Sequence, residues 1–351
     1  MNILADYHHP GLYNSLRMLF ENRLGHTLFR PIGMEWFHNG YWDYPHPDKR
    51  WVAEQLLENT ALESKSVYYN REYNNFTKIK EISHNYITLR DMKNEADYKC
   101  LTFEQFKNTK IDVVIASVPQ HEITFSKLIK DHKPDTKLIL HEGNSHVKSV
   151  GTIAKNIMIS VPEIDYTFPE GSLIVYAHQE FDLDIFRHTK LYRHNRIISL
   201  INCLHLWKDA HDLWDKYKVL LPEYEWRMHG QDGEDGVIDN INGIAEALMN
   251  TSFVFHPKPQ AVIGGHNLLN AMACGRPIIT RGADIGGEMK GKLIDNYNII
   301  DLDIGNPEER IRSITSDKLQ EMSENIYATF KKLVDFEQES ESVRQFMDNL
   351  R

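Results

Sequence analysis

Long hydrophobic runs are missing from this chain. Its most apolar stretches, Ile111–Val118 and Ser252–Phe255, are short and bordered by polar residues. A membrane-spanning helix needs ~20 apolar residues in a row, so no stable membrane association is expected. The opening residues, Met1-Asn2-Ile3-Leu4-Ala5-Asp6, pass directly into strand-like sequence without a basic region and apolar stretch. No secretory leader is expected there, and a cytoplasmic location is. Cysteine is scarce: Cys100, Cys203 and Cys274 are an odd number, far apart and outside any CxxC spacing. A disulfide scaffold is thereby excluded, and buried reduced thiols fit. Positive charge is in deficit, with 40 Lys and Arg against 50 Asp and Glu for a net charge of −10. That weakens a nucleic-acid reading without excluding a local basic patch. His141 and His146 lack a third ligand at zinc-like spacing, so no metal site is expected.

What remains is an ordinary globular composition, 41% hydrophobic and 26% charged over 351 residues. That length exceeds one hydrophobic core, and two domains are expected, residues 1–180 and 181–351. In the first, a strand at Asn2–Tyr7 precedes a helix with Leu12, Leu16, Leu19 and Phe20 on one face. The apolar run Ile111–Val118, a helix around Ile123–Asp131 and the strand Lys137–Glu142 make a βαβ unit, hence a parallel sheet. In the second, strands at Arg196–Cys203, Glu225–His229, Phe253–His256 and Pro277–Arg281 alternate with helices at Ala210–Tyr217, Ile244–Met249 and Asn267–Cys274. Ser316–Phe346 reads as amphipathic helix. The fold class expected is α/β, two Rossmann-like doubly wound domains facing across a cleft.

The segment from Phe255 to Ile279 carries the clearest chemistry. A strand ends, Gly264-Gly265 allow close backbone approach, and a helix opens with free N–H groups, which suits an anion such as a diphosphate. Gly275 and Pro277 then stop the helix and restart the sheet. The run Ala271-Met272-Ala273-Cys274-Gly275-Arg276-Pro277 resembles the donor-binding region of GT-B glycosyltransferases, of the glycogen-synthase-like, family-4-like kind. The resemblance covers about residues 195–335, and the N-terminal half in architecture alone. It implies a nucleotide-diphosphate sugar as donor, a UDP-sugar first among them, with no separate cofactor. It also implies a phosphate-binding role for Lys208 and places His256, Lys258, Gly264, Gly265, His266 and Asn270 around the donor. The chain departs from the pattern at Val262 and Asn270, where retaining members carry glutamates, so stereochemistry stays open.

The partner domain would present a hydroxyl acceptor. His8 and His9 follow the first strand at the ligand-binding edge of the sheet and could take the acceptor proton; Glu142, ending another strand, is a further candidate base. The aromatic loop Trp36–Tyr44, with Trp36, Tyr41 and Trp42, is either hydrophobic cover or a stacking platform. Asp182-x-Asp184 and Asp301-x-Asp303 read as solvated loop carboxylates. The chain also resembles bacteriophage-encoded glycosyltransferases in compactness. That likeness would make a hydroxymethylated pyrimidine in DNA an acceptor, with Lys127, Lys130, Lys133 and Lys137 as the basic track; the net charge points instead to a glycan or small hydroxyl compound. A nucleotide-sugar epimerase and a non-catalytic sugar-nucleotide-binding protein are the alternatives.

Overall fold

The structure is a computed structural model that describes residues 1–6, 10–32, 36, 67–70, 75–117, 119–143, 153–160, 168–190, 195–202, 204–230, 232–258 and 266–351. The chain divides into two compact units, Met1–Glu180 with Phe336–Arg351, and Phe181–Asp335.

Strands of the first unit are β1 (Asn2–Ala5), β2 (Thr27–Pro31), β3 (Val67–Asn70), β4 (Asn75–Ile82), β5 (Ile87–Asp91), β6 (Ala96–Leu101), β7 (Val113–Ala116), β8 (Lys137–Glu142), β9 (Asn156–Ile159) and β10 (Leu173–Tyr176). They form one sheet in the order β10-β9-β8-β7-β1-β2-β6-β5-β4-β3. The sheet is parallel from β10 to β6 and antiparallel beyond it. Burial follows that change. All four residues of β7 are buried, as a strand covered on both faces requires, whereas β5 alternates buried and half-buried residues because one face meets solvent. Helices α1 (Pro10–Arg17), α2 (Phe103–Asn108) and α3 (Pro119–His132) connect the strands. A capping box starts α2, with Thr102 and Gln105 satisfying each other's backbone N–H.

Among the described residues the second unit has five parallel strands, β11 (Arg196–Ser199), β12 (Glu225–Met228), β13 (Phe253–Phe255), β14 (Ile278–Thr280) and β15 (Ile299–Asp301), in the order β12-β11-β13-β14-β15. Its helices are α4 (Lys208–Leu220), α5 (Ile241–Met249), α6 (His266–Ala273), α7 (Pro307–Ser313) and α8 (Ser316–Leu333). Trp214 and Trp226 meet edge to face at 5.1 Å in its core, and both pack on Phe255.

The helical stretch expected at the end of the second domain is two helices, and the latter, α9 (Phe336–Asp348), groups with the first unit. Its Val343, Phe346 and Met347 join Ile3, Leu16 and Leu28 in that unit's core. Arg351 donates its backbone N–H to Asn156 and a guanidinium N–H to the Gly171 carbonyl.

Candidate functional site

Parallel α/β sheets bind ligands beyond the carboxyl ends of their strands, where the strand order reverses. In the second unit the reversal falls between β11 and β13. Asn267, in the first turn of α6, donates to the Leu200 carbonyl just past β11 at 2.6 Å and so fixes the amino end of α6 over this point. His266 opens that helix against Phe181, ring centroids 5.5 Å apart, and burial pushes its pKa down to about 4. It is therefore a neutral imidazole at pH 7. One turn on, Asn270 is 3% exposed, and its Oδ1 has no hydrogen-bond partner among the described residues. A buried carbonyl oxygen in that state needs a donor.

His256 and Lys258 leave β13 into the same region. His256 is buried and held neutral, its pKa driven to about 4 by burial and by the charge of Lys258. The Lys258 ammonium lies over the Trp207 ring at 4.8 Å, and burial lowers its pKa. Trp207 precedes Lys208, the first residue of α4, so the loops after β11 and β13 meet through this cation–aromatic contact. Lys208 itself is exposed and paired with Asp212 one turn along α4. The structure thus gathers His256, Lys258, His266 and Asn270 around one switch point, with Lys208 at its margin. Gly264 and Gly265 lie outside the described residues.

In the first unit the reversal falls between β1 and β7. Asp6, just past β1, is 2% exposed and accepts from the Ser117 N–H at 2.8 Å, from the Ser117 hydroxyl and from His121 Nδ1 at 2.6 Å. Burial alone would raise its pKa, but the bonds and charge from His121 and Ser117 outweigh this and lower it. His121 stands in the first turn of α3, with its ring against Phe125. With Nδ1 engaged by a carboxylate, the neutral ring carries its lone pair on Nε2. Glu142 ends β8 at 1% exposure. Beside it, His141 bonds the Ser160 hydroxyl at 2.7 Å and burial drives its pKa to about 4. His8 and His9 lie outside the described residues. The signal for His121 was present, a histidine directly after the apolar strand, at the edge already expected to bind ligand.

No protein-family model matches the sequence, and no curated protein matches it. Solved structures do match. HepE from Anabaena in complex with UDP-glucose aligns over 100% of both chains with a TM-score of 0.60 at 12% identity. A glycosyltransferase from Rickettsia africae aligns over 99% of this chain and 97% of its own, with a TM-score of 0.58 at 12% identity. Sucrose-phosphate synthase from Thermosynechococcus elongatus aligns over 98% of each chain, with a TM-score of 0.60 at 11% identity. The fold is that of the GT-B glycosyltransferases.

Within the GT-B fold several expected residues take structural places. Trp36 is 1% exposed, donates its indole N–H to the Leu101 carbonyl at 2.9 Å and packs on Phe103 and Phe106. It is core and not a stacking platform, because its faces and its polar edge are already used. Tyr41 and Trp42 lie outside the described residues. The two Asp-x-Asp pairs hold turns: Asp182 accepts from the Asp184 N–H, and Asp301 from those of Gly282 and Asp303. Among the described residues no helix is long and apolar enough to cross a membrane. Cys100 and Cys274 are free and buried, and Cys203 lies outside the described residues.

Proposed function

We propose that this chain is a glycosyltransferase that moves a sugar from a UDP-sugar to a hydroxyl acceptor. The observation that carries the reading is the amino end of α6, where N–H groups, a neutral His266 and the unmet Asn270 oxygen face the switch point of the second unit. A helix amino terminus favours a diphosphate, and a buried amide oxygen can accept from a ribose or sugar hydroxyl. HepE, of the same fold, was crystallised with UDP-glucose, which supports UDP as the nucleotide. Lys208 and Lys258 would add charge to the leaving diphosphate.

His121, steadied by Asp6, takes the acceptor proton on Nε2 as the new bond to the anomeric carbon forms and the bond to the diphosphate breaks. Glu142, His8 and His9 remain alternative proton acceptors. For the acceptor we favour a glycan or small hydroxyl compound over a hydroxymethylated pyrimidine in DNA. Lys130, Lys133 and Lys137 lie at the end of α3 and the start of β8, at the sheet edge away from the ligand ends of the strands. With a net charge of −10 the chain also has little to offer a phosphodiester backbone.

The test is a thermal-shift panel of UDP, ADP, GDP and their glucose conjugates, followed by transfer assays with any donor that binds. Stabilisation by UDP-sugars and a sugar-sized mass added to an acceptor are expected. Binding without hydrolysis or transfer would instead identify a sensor, and a changed free sugar an epimerase.

A further inference from the structure

The chain passes between its two units twice, from Glu180 to Phe181 and from Asp335 to Phe336. One side chain of the first unit holds both passages. Arg23 ends a π-helical turn, Met18–Arg23, that follows α1 and buries Met18, Leu19 and Phe20. Its Nε donates to the Glu180 carboxylate, on the last residue before the outward passage. Its Nη1 donates to the carboxylate of Glu337, the second residue of α9 after the return. The guanidinium also lies over the Phe336 ring, 5.8 Å from its centroid.

Two further contacts fasten the outgoing strand to the first unit. Glu339 of α9 accepts the His178 backbone N–H at 2.8 Å and meets the ring Nδ1 at the same distance. Gln179 donates to the Gly143 carbonyl at 2.9 Å, directly after Glu142 at the end of β8. Immediately beyond, Phe181 is buried in the second unit against Phe186, Phe330 and His266. On the return, Val334 is buried, Asp335 exposed and Phe336 buried again. Each passage thus runs from one anchored residue to the next with almost no slack.

The two arms of the Arg23 contact differ in weight. Glu180 is 3% exposed, and a carboxylate so placed needs its counter-charge. The Glu337 side chain is 83% exposed, and its ion pair alone contributes little. What a guanidinium adds over an ammonium is its rigid fork, which presents separate N–H groups to two carboxylates on different segments at once. We propose that Arg23 is the anchor of a two-strand hinge. It fixes both passages to the first unit, so that rotation of the second unit is confined to the backbone torsions of residues 180–181 and 334–336. For the transfer reaction proposed above Arg23 is then a positioning residue, which sets how repeatably donor meets acceptor. That consequence rests on the transferase reading, whereas the hinge does not.

The experiment measures the distribution of distances between two spin labels in the whole protein by pulsed electron spin resonance. The labels sit on Lys110→Cys, an exposed site of the first unit, and Lys290→Cys, an exposed site of the second, in a Cys203→Ser background; Cys100 and Cys274 are buried. Arg23→Met should give a broader distribution than the wild type. Arg23→Lys, which neutralises Glu180 but cannot bridge both segments, should melt closer to the wild type than Arg23→Met and still show the broad distribution. If Arg23→Met yields too little folded protein, the same substitution combined with Glu180→Gln removes both buried charges and carries the same expectation. With a donor that binds, kcat should fall roughly ten- to a hundredfold in both single variants while the UDP Kd stays within about twofold. A wild-type distribution in Arg23→Met would show that packing alone holds the passages and would overturn the hinge. Full narrowing by lysine would overturn it too, reducing Arg23 to a counter-charge for Glu180. Broadening with an unaltered kcat would remove the positioning role. Should the wild type bind no UDP-sugar, the transferase reading fails and the distances still decide the hinge.

Discussion

Asp6 binds His121 across two neighbouring strand ends, and the value of that contact is orientation, since it holds Nδ1 and with it the plane of the ring. His121→Ala should therefore reduce turnover by about 10² to 10⁴ while UDP affinity, measured by calorimetry, stays within twofold. Undiminished turnover would move the proton to His8, His9 or Glu142. On the donor side, Asn270→Leu removes the buried acceptor and should weaken UDP-sugar binding roughly tenfold or more, with the fold retained. Lys208→Ala should do likewise if its ammonium leaves Asp212 for a phosphate; unchanged affinity in both variants would remove the donor-site assignment. At this scale the sequence was informative about residue type and poor about boundaries. His256, Lys258, His266 and Asn270 could be read from one strand-loop-helix pattern. His121 is easily passed over because the apolar helical pattern starts only around Ile123, whereas α3 begins at Pro119, a residue suited to the first helical turn.

Helices and strands show where local pattern stops deciding structure. The apolar stripe from Ser316 to Phe346 does not mark where one helix ends, yet the chain breaks at Val334, which takes an extended conformation (φ −122°, ψ 119°) between α8 and α9. Neither proline nor glycine marks the place, so only the partner surfaces reveal it: Phe330 and Ile326 face the second unit's interior, and Val343 and Phe346 the first unit's. The antiparallel strands β3 to β5 are likewise hard to anticipate, since apolar residues alternating with polar and charged ones, as in Ile87–Asp91, resemble loop. Phe346→Ala should cost about 3–5 kcal/mol and act on the first unit alone. Hydrogen exchange would then accelerate in β1, β8 and β9 and leave β11 to β15 unchanged. Uniform acceleration would show that the two units unfold together.

For the molecule as a whole, three histidines set an acid limit. His141, His256 and His266 are pushed from 6.5 to about 4 by burial. Between those values the unfolded chain binds protons that the folded chain refuses, so stability rises with pH across the window and falls as pH drops from 6.5 toward 4. At pH 5 each histidine costs on the order of 2 kcal/mol relative to pH 7. The urea midpoint should drop over that range, and His141→Gln should flatten the dependence; a level midpoint in the wild type would contradict the assignment. The two-unit α/β plan itself was legible from the alternation of strands and helices. The excursion of the last helix was not, because membership of a core is a property of contacts distant in sequence.

That excursion bears on how the protein is made. Most domains emerge from the ribosome and fold in order, amino-terminal first. Here Val343, Phe346 and Met347 complete a core whose other members lie between Ile3 and Ala177, and they are synthesised only after the whole of Phe181–Asp335. During translation the first sheet must wait with the α9 face of its core uncovered, while the second unit already has every strand it needs. The later-made unit is free to fold first, and the earlier one closes its core last.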